Sequence, residues 1–284
     1  MTTIAEGARD RQALRSQDDR PVTLAGVLHS EWIKLRSVRS TAWSYVAAAG
    51  TLLFFGAIAA AFTGGLLAAA EEGPDDAGGS DPTGTVLSGV PLVALIIGVL
   101  GVIAMTSEYA TGTIRSTMTF VPQRLKVLSA KALVLAAVTL PVMLVATLAT
   151  FFIGQALLGA GDAGTVTASL GDEGVLRAVL GTALYLAGIA LMGLAFGSLL
   201  RSTPAALSVL FTLIFLLPGL GSFLLPASLR DDVLSHLPSN AGSAFTSVTP
   251  SPDLLPAWEG AAVFAAWVIV PLAIAAVRLV RRPV

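Results

Sequence analysis

Six runs of about 20 or more mostly apolar residues divide this chain, and no other feature restricts its fold so severely. A run of that length can cross lipid as a helix, because only there do its backbone polar groups pair within the segment. The runs cover residues 42–70, 86–106, 127–158, 175–200, 204–226 and 257–280. The third is long for a hydrocarbon core of about 30 Å and contains Pro141, so it is expected to tilt, kink or protrude. Composition agrees: the 284 residues are 55% hydrophobic and 12% charged, with mean hydropathy +0.81. That is about half the charge of an ordinary soluble domain. The predicted fold is an all-α integral membrane protein with six transmembrane helices. The first run follows a polar segment that contains acids, so it reads as an anchor and not as a cleaved leader.

The basic residues orient the chain. Of its 17 Lys and Arg residues, all but Arg177 and Arg230 fall in the N-terminal segment, the 107–131 link, the short 201–203 link or the C-terminus. Most acids fall on the other side, in the loops near Glu71, Asp76, Asp172 and Asp231. Both termini are therefore expected to be cytoplasmic, in agreement with an even number of spans. The net charge of −1 gives no general argument for nucleic acid. Cysteine is absent, which excludes thiolate chemistry and disulfides. The two histidines, His29 and His236, fall on opposite predicted sides, so a shared metal site is not expected.

Residues 1–21 read as a disordered cytoplasmic tail, and 22–284 as a single transmembrane domain. From Thr23, the residues Leu24, Val27, Leu28, Leu35 and Val38 share one face at helical spacing, with Trp32 at its border and Lys34, Arg36 and Arg39 beside it. This predicts an amphipathic helix in the membrane interface before span one; the alternative is a plain basic anchor. Glu31 projects onto the apolar face. It can pair with Lys34 three residues on, which is favoured slightly, or with an Arg from another segment. The 71–85 loop is acidic and rich in Gly and Pro, as expected of a solvated loop. Ser202-Thr203-Pro204 predicts a hydroxyl cap and a helix start, making spans four and five a tight hairpin. Pro218, Gly219, Gly221 and Pro226 disfavour a straight end to span five. Short helices folded back on the outer surface are expected in 227–256.

Catalytic and energy-converting motifs are missing. The chain has no GxxxxGK[ST], HExxH or GxSxG, and no paired intramembrane acids. Its ionisable residues sit at span ends, which argues against a proton relay or ion channel. Polar residues within the spans, such as Thr139, Thr150 and Thr182, are expected to make helix–helix contacts. Gly193-x-x-x-Gly197 is a small-residue packing motif and weak evidence for dimerisation. If this protein moves anything, another chain must supply the energy.

That returns attention to 107–131, SEYATGTIRSTMTFVPQRLKVLSAK. Gly112 loosens the exit from span two, Ser107, Thr111 and Thr113 offer helix-capping hydroxyls, and Pro122 ends the local helix. The residues allow a stiff protruding elbow between spans two and three, or a basic loop that only fixes topology.

Glu108, Gly112-Thr113, Arg115, Pro122, Arg124 and Lys131 follow the pattern E-x3-G-T-x-R-x6-P-x-R-x6-K. This resembles the coupling-helix region of type-2 ABC exporter permeases. SEWIKLRSVRSTAW, Ser30–Trp43, is similar to the lead-in to span one in actinobacterial members, and LPSNAG, Leu237–Gly242, to their outer segment before the last span. The resemblance implies a dimer of permeases, identical or paralogous, bound to two separate ATPase subunits that carry the ATP and Mg. It implies that the elbow docks in a cleft of the ATPase, with Glu108, Gly112, Thr113, Arg115, Pro122 and Arg124 as coupling residues. This chain itself then binds no cofactor and is not an enzyme.

The resulting expectation is the permease subunit of an ABC-type exporter in a bacterial plasma membrane, docking its ATPase through residues 107–126. Glu31, Trp32, Lys34 and Arg36 anchor the interfacial helix; Thr147, Gln155, Tyr185 and Thr212 are candidates for the substrate path. The rivals are a non-transporting scaffold or sensor, which would bind no ATPase, and an intramembrane lipid enzyme, which would need clustered catalytic groups at one depth.

Overall fold

The computed structural model describes residues 23–66, 81–113, 124–161, 165–249 and 254–281. The described elements are all helical, and six of the helices are long and apolar enough to cross a membrane. They are span one, Arg39–Thr63; span two, Val90–Ala110; span three, Arg124–Ala160; span four, Val175–Leu200; span five, Thr203–Leu224; and span six, Ala257–Arg281. The tail at 1–21 and most of the acidic loop lie outside the described residues.

Span one starts before its predicted boundary and stops sooner. Gly64 and Gly65 turn the chain after Thr63, with Gly65 at φ +78°. Before span two, Asp81 caps a short helix, Pro82–Val86, through its carboxylate and the Thr83 N–H, and Gly89 then leads into the span. Span three is the longest of the described helices. Its 37 residues run as one helix through Pro141, about 55 Å at 1.5 Å per residue. That exceeds the ~30 Å core by several turns.

Span four is the hub, with 83% of its apolar window buried, against 11% for span five. Small residues put it there. A Cβ on Gly193 would stand 2.5 Å from the Gly98 carbonyl oxygen of span two, and one on Gly101 of span two would strike the Ala190 carbonyl of span four. The backbones meet because neither side has a side chain at the contact. Gly197 faces Val102 and Thr106 of the same span. The Gly193–Gly197 motif therefore packs spans two and four of one chain, as a small-residue packing motif does.

Of the polar residues expected at helix contacts, Thr139 joins two helices, whereas the hydroxyls of Thr150 and Thr182 bond back to the Ala146 and Ala178 carbonyls of their own helices. Tyr45 and Thr139 share a buried 2.6 Å hydrogen bond between spans one and three. Thr203 donates to Thr106 at 2.8 Å, joining span five to span two. Span five has no side-chain cap, contrary to expectation: Ser202 at the N-cap makes none, and the Thr203 hydroxyl goes to Thr106. Span five runs through Pro218, Gly219 and Gly221 and ends just before Pro226. It widens into a π-helical turn at Thr212–Leu216 and continues helical to Leu224, with Pro218 tolerated in the new first turn. Two short helices follow, Ala227–Ser235 and Pro238–Thr246, as expected for the outer segment. Trp267 of span six donates its indole N–H to the His236 carbonyl between them, at 2.8 Å.

Candidate functional site at the basic end of the bundle

The amphipathic helix is Leu24–Ser37, capped by the Thr23 hydroxyl, which accepts from Gly26 N–H at 3.2 Å. Val27 and Glu31 are its buried positions, one turn apart, with Leu35 partly buried a turn further on. Trp32, Ile33 and Arg36 face outward. Val38 does not continue the face; its extended backbone separates this helix from span one.

Glu31 sits in the middle of the buried stripe and is 4% exposed. A carboxylate so placed requires cations. Two reach it, from different directions. Lys34 donates to Oε1 at 2.7 Å, and Lys131 of span three donates to Oε2 at 2.6 Å. Both lysines also reach Glu108, at the end of span two. Lys131 lies 2.9 Å and Lys34 3.1 Å from its Oε1. The four charges close a ring in which acids and bases alternate. Both sequence alternatives for Glu31 are thus realised at once, with the distant cation Lys131 and not an arginine. Lys34 holds its proton more firmly than usual: burial opposes the charge, but the two carboxylates outweigh it.

The ring unites three elements. Glu108 lies four residues before Gly112, where the chain leaves span two, and Lys131 lies in the second turn of span three. Gly112 has φ +72°, the left-handed conformation common just past a helix end. Thr111 turns its hydroxyl back to the Ser107 carbonyl at 2.9 Å and meets the Thr113 hydroxyl at 2.9 Å. Arg124, at the first residue of span three, donates to the Leu279 carbonyl of span six at 2.9 Å. Arg201, on the span four–five link, stacks over the Tyr109 ring at 5.4 Å from its centre. Arg115 and Pro122 lie outside the described residues.

A cavity of about 580 Å³ opens beside the ring. Glu31, Lys34, Glu108 and Lys131 line one end; Val99, Leu100, Ile103, Ala104 and Leu135 form apolar walls; Ser37, Ser40, Thr41 and Ser44 contribute hydroxyls. A smaller cavity, about 290 Å³, lies between spans two and five and is apolar except for Ser208.

The four substrate-path candidates are not gathered in either cavity. Thr147 is buried and bonds back to the Met143 carbonyl at 2.7 Å. Tyr185 is buried in span four against Phe264 and Gly242. Gln155, near the opposite end of span three, donates to the Pro82 carbonyl at 3.2 Å and accepts from Ala168 N–H at 2.8 Å, joining two segments at that end. Thr212 opens the π-helical turn. The residue that sequence reasoning left out of the site is Lys131. The elbow pattern contained it, yet only its contact with Glu31 shows that it joins the interfacial helix to the elbow.

Six apolar helices, with a charge ring at one end of the bundle, define a multi-pass membrane protein. Residues 27–219 match the family described as ABC-2 family transporter protein, and the chain belongs to that family. It is thus a permease, the membrane component of an ABC-type transporter that works with an ATPase partner, and is not the enzyme itself. No curated protein matches the chain.

Proposed function

We propose that the chain is the permease of an exporter, with the charge ring and both termini at the cytoplasmic face of a bacterial plasma membrane. Residues 107–126 dock the ATPase, and Glu108, Gly112, Thr113, Arg115, Pro122 and Arg124 form or shape the contact. Two ATPase subunits carry ATP and Mg, and two permeases, identical or paralogous, pair across the membrane. The substrate path runs along the spans, with Thr147, Gln155, Tyr185 and Thr212 as its candidate polar residues.

One observation carries this reading. Glu108 and Lys131, the two roots of the elbow, are 2.9 Å apart, and both are joined to the interfacial helix through Glu31 and Lys34. A push on the elbow therefore acts on spans two and three and on the interfacial helix together. A basic loop that served topology alone would have no need of such a brace. Charge asymmetry supports the orientation, since basic residues concentrate at this end.

The test is recovery of the protein in mild detergent and identification of co-purifying P-loop ATPases, with Arg115→Glu and Arg115→Glu/Arg124→Glu in parallel. An ATPase held by wild type and lost from a folded Arg115→Glu variant is the expected result. Failure of the folded wild-type protein to hold any ATPase would overturn the docking and favour a scaffold or sensor.

A further inference from the structure

We propose that the cavity beside the charge ring binds an anionic phospholipid from the adjoining leaflet, with its headgroup at Lys34 and a chain along span two.

The accessible charge in the cavity decides the sign of the headgroup. Glu31, Glu108 and Lys131 have side chains only 4%, 10% and 9% exposed, whereas Lys34 is 44% exposed. Both Glu31 oxygens and Glu108 Oε1 meet lysines, and Glu108 Oε2 is buried without a hydrogen bond among the described residues, so the exposed charge a ligand meets is the Lys34 ammonium. An ammonium has three donors, and the ring uses two of them on Lys34, toward Glu31 and Glu108. The third has no partner among the described residues and can take an incoming oxygen. Span one starts at the same rim, and its N-cap residue, Val38, provides no side-chain cap. The positive end of that helix adds to the attraction for an anion. The hydroxyls of Ser40 and Thr41 line the same part of the cavity.

The walls decide that the ligand is an amphiphile and not a free anion. Beyond the charged end the lining is Val99, Leu100, Ile103, Ala104 and Leu135. Ser107 to Val99 is eight residues of span two, about 12 Å at 1.5 Å per residue. That is close to the ~15 Å depth of one leaflet's hydrocarbon. Val38 and Ile103 line the cavity and are each 47% exposed, so the cavity is open beside them toward the bilayer. At about 580 Å³ it falls in the ~300–1,000 Å³ range of small-molecule sites, enough for a headgroup and the upper part of a chain.

Binding does not require the ATPase reading, and its test is separate. The purified full chain is released from mixed micelles containing phosphatidylglycerol, phosphatidylcholine and a quaternary-ammonium lipid, and adducts are weighed by native mass spectrometry. We expect phosphatidylglycerol to be retained in preference to both others. Lys34→Met should lower that preference about tenfold, the loss of one charge-assisted hydrogen bond. Ala104→Phe, which fills the cavity without touching the ring, should abolish it; Ile103→Trp is the second filling variant should the first not fold. Equal retention of the three lipids by wild type would overturn the proposal, as would preferential retention of the cationic lipid. So would unchanged phosphatidylglycerol retention in a folded filling variant, or a lipid-free dimer that the filling variant dissociates, which would give the cavity to a second copy. Retained lipid with no captured ATPase counts against the docking alone; captured ATPase with no lipid preference counts against this site alone.

Discussion

Lys131 Nζ lies 2.6 Å from Glu31 Oε2, joining residues 100 positions apart in the chain. Each is less than one-tenth exposed. The pair fixes the interfacial helix to span three, and the second bond of each residue extends the tie to Lys34 and Glu108.

Removing one buried partner leaves the other's charge without compensation. Lys131→Met should therefore cost about 3–5 kcal/mol of stability in detergent, measured as a fall in the thermal unfolding midpoint. Pairing it with Glu31→Gln removes one acid and one base together and should restore much of the loss. A double variant no more stable than Lys131→Met would show that packing and not charge balance is at stake.

Lys34 gives the ring a defined response to alkali. Its pKa is raised in the fold above the ordinary 10.5, so its stabilising contribution is complete below 10.5 and lost as pH rises through the folded value. The stability difference between wild type and Lys34→Met should be constant around neutral pH, where the carboxylates stay ionised, and on the alkaline side shrink only above 10.5. A difference that disappeared near pH 7 would place the relevant proton elsewhere.

Gly193→Val should be poorly tolerated and Gly50→Ala tolerated. The first drives a side chain against the Gly98 carbonyl, whereas a Cβ on Gly50 meets nothing within 4 Å. Overpacking of this kind costs about 1–3 kcal/mol. Thermal unfolding of the two variants side by side measures the contrast. A stable, monomeric Gly193→Val protein would contradict the packing of spans two and four.

Gln155 separates a structural role from a transport role. Its amide bonds two segments near one end of span three, so Gln155→Leu should cost about 1–3 kcal/mol and speed hydrogen exchange at Ala168. Altered transport with unchanged stability and exchange would instead place Gln155 in the substrate path.

The membrane class and the six helices were legible in the sequence because lipid allows few solutions for an apolar run of 20 residues. The helix at Leu24–Ser37 was legible from its period, and Glu31 stood out because a carboxylate on an apolar face needs a partner. The helix ends were less so. Span one stops early at two glycines, and span five widens into a π-helical turn and then stays helical through Pro218, Gly219 and Gly221, an adjustment local composition does not encode.

What required the tertiary structure was the choice among partners. Lys34, three residues on, is the one candidate for Glu31 with a defined distance in a linear chain; Lys131 and the nearby arginines are equivalent there. Packing settled it by bringing the amphipathic helix against span three and the end of span two, so that two lysines and two carboxylates share one small buried space. The glycines of spans two and four followed the same logic. Their composition announced a close helix contact, but only the three-dimensional arrangement made that contact internal to the chain. Hydrophobic length is a property of each segment alone and survives without context; charge pairing and backbone contact are properties of two segments, and exist only once both are in place.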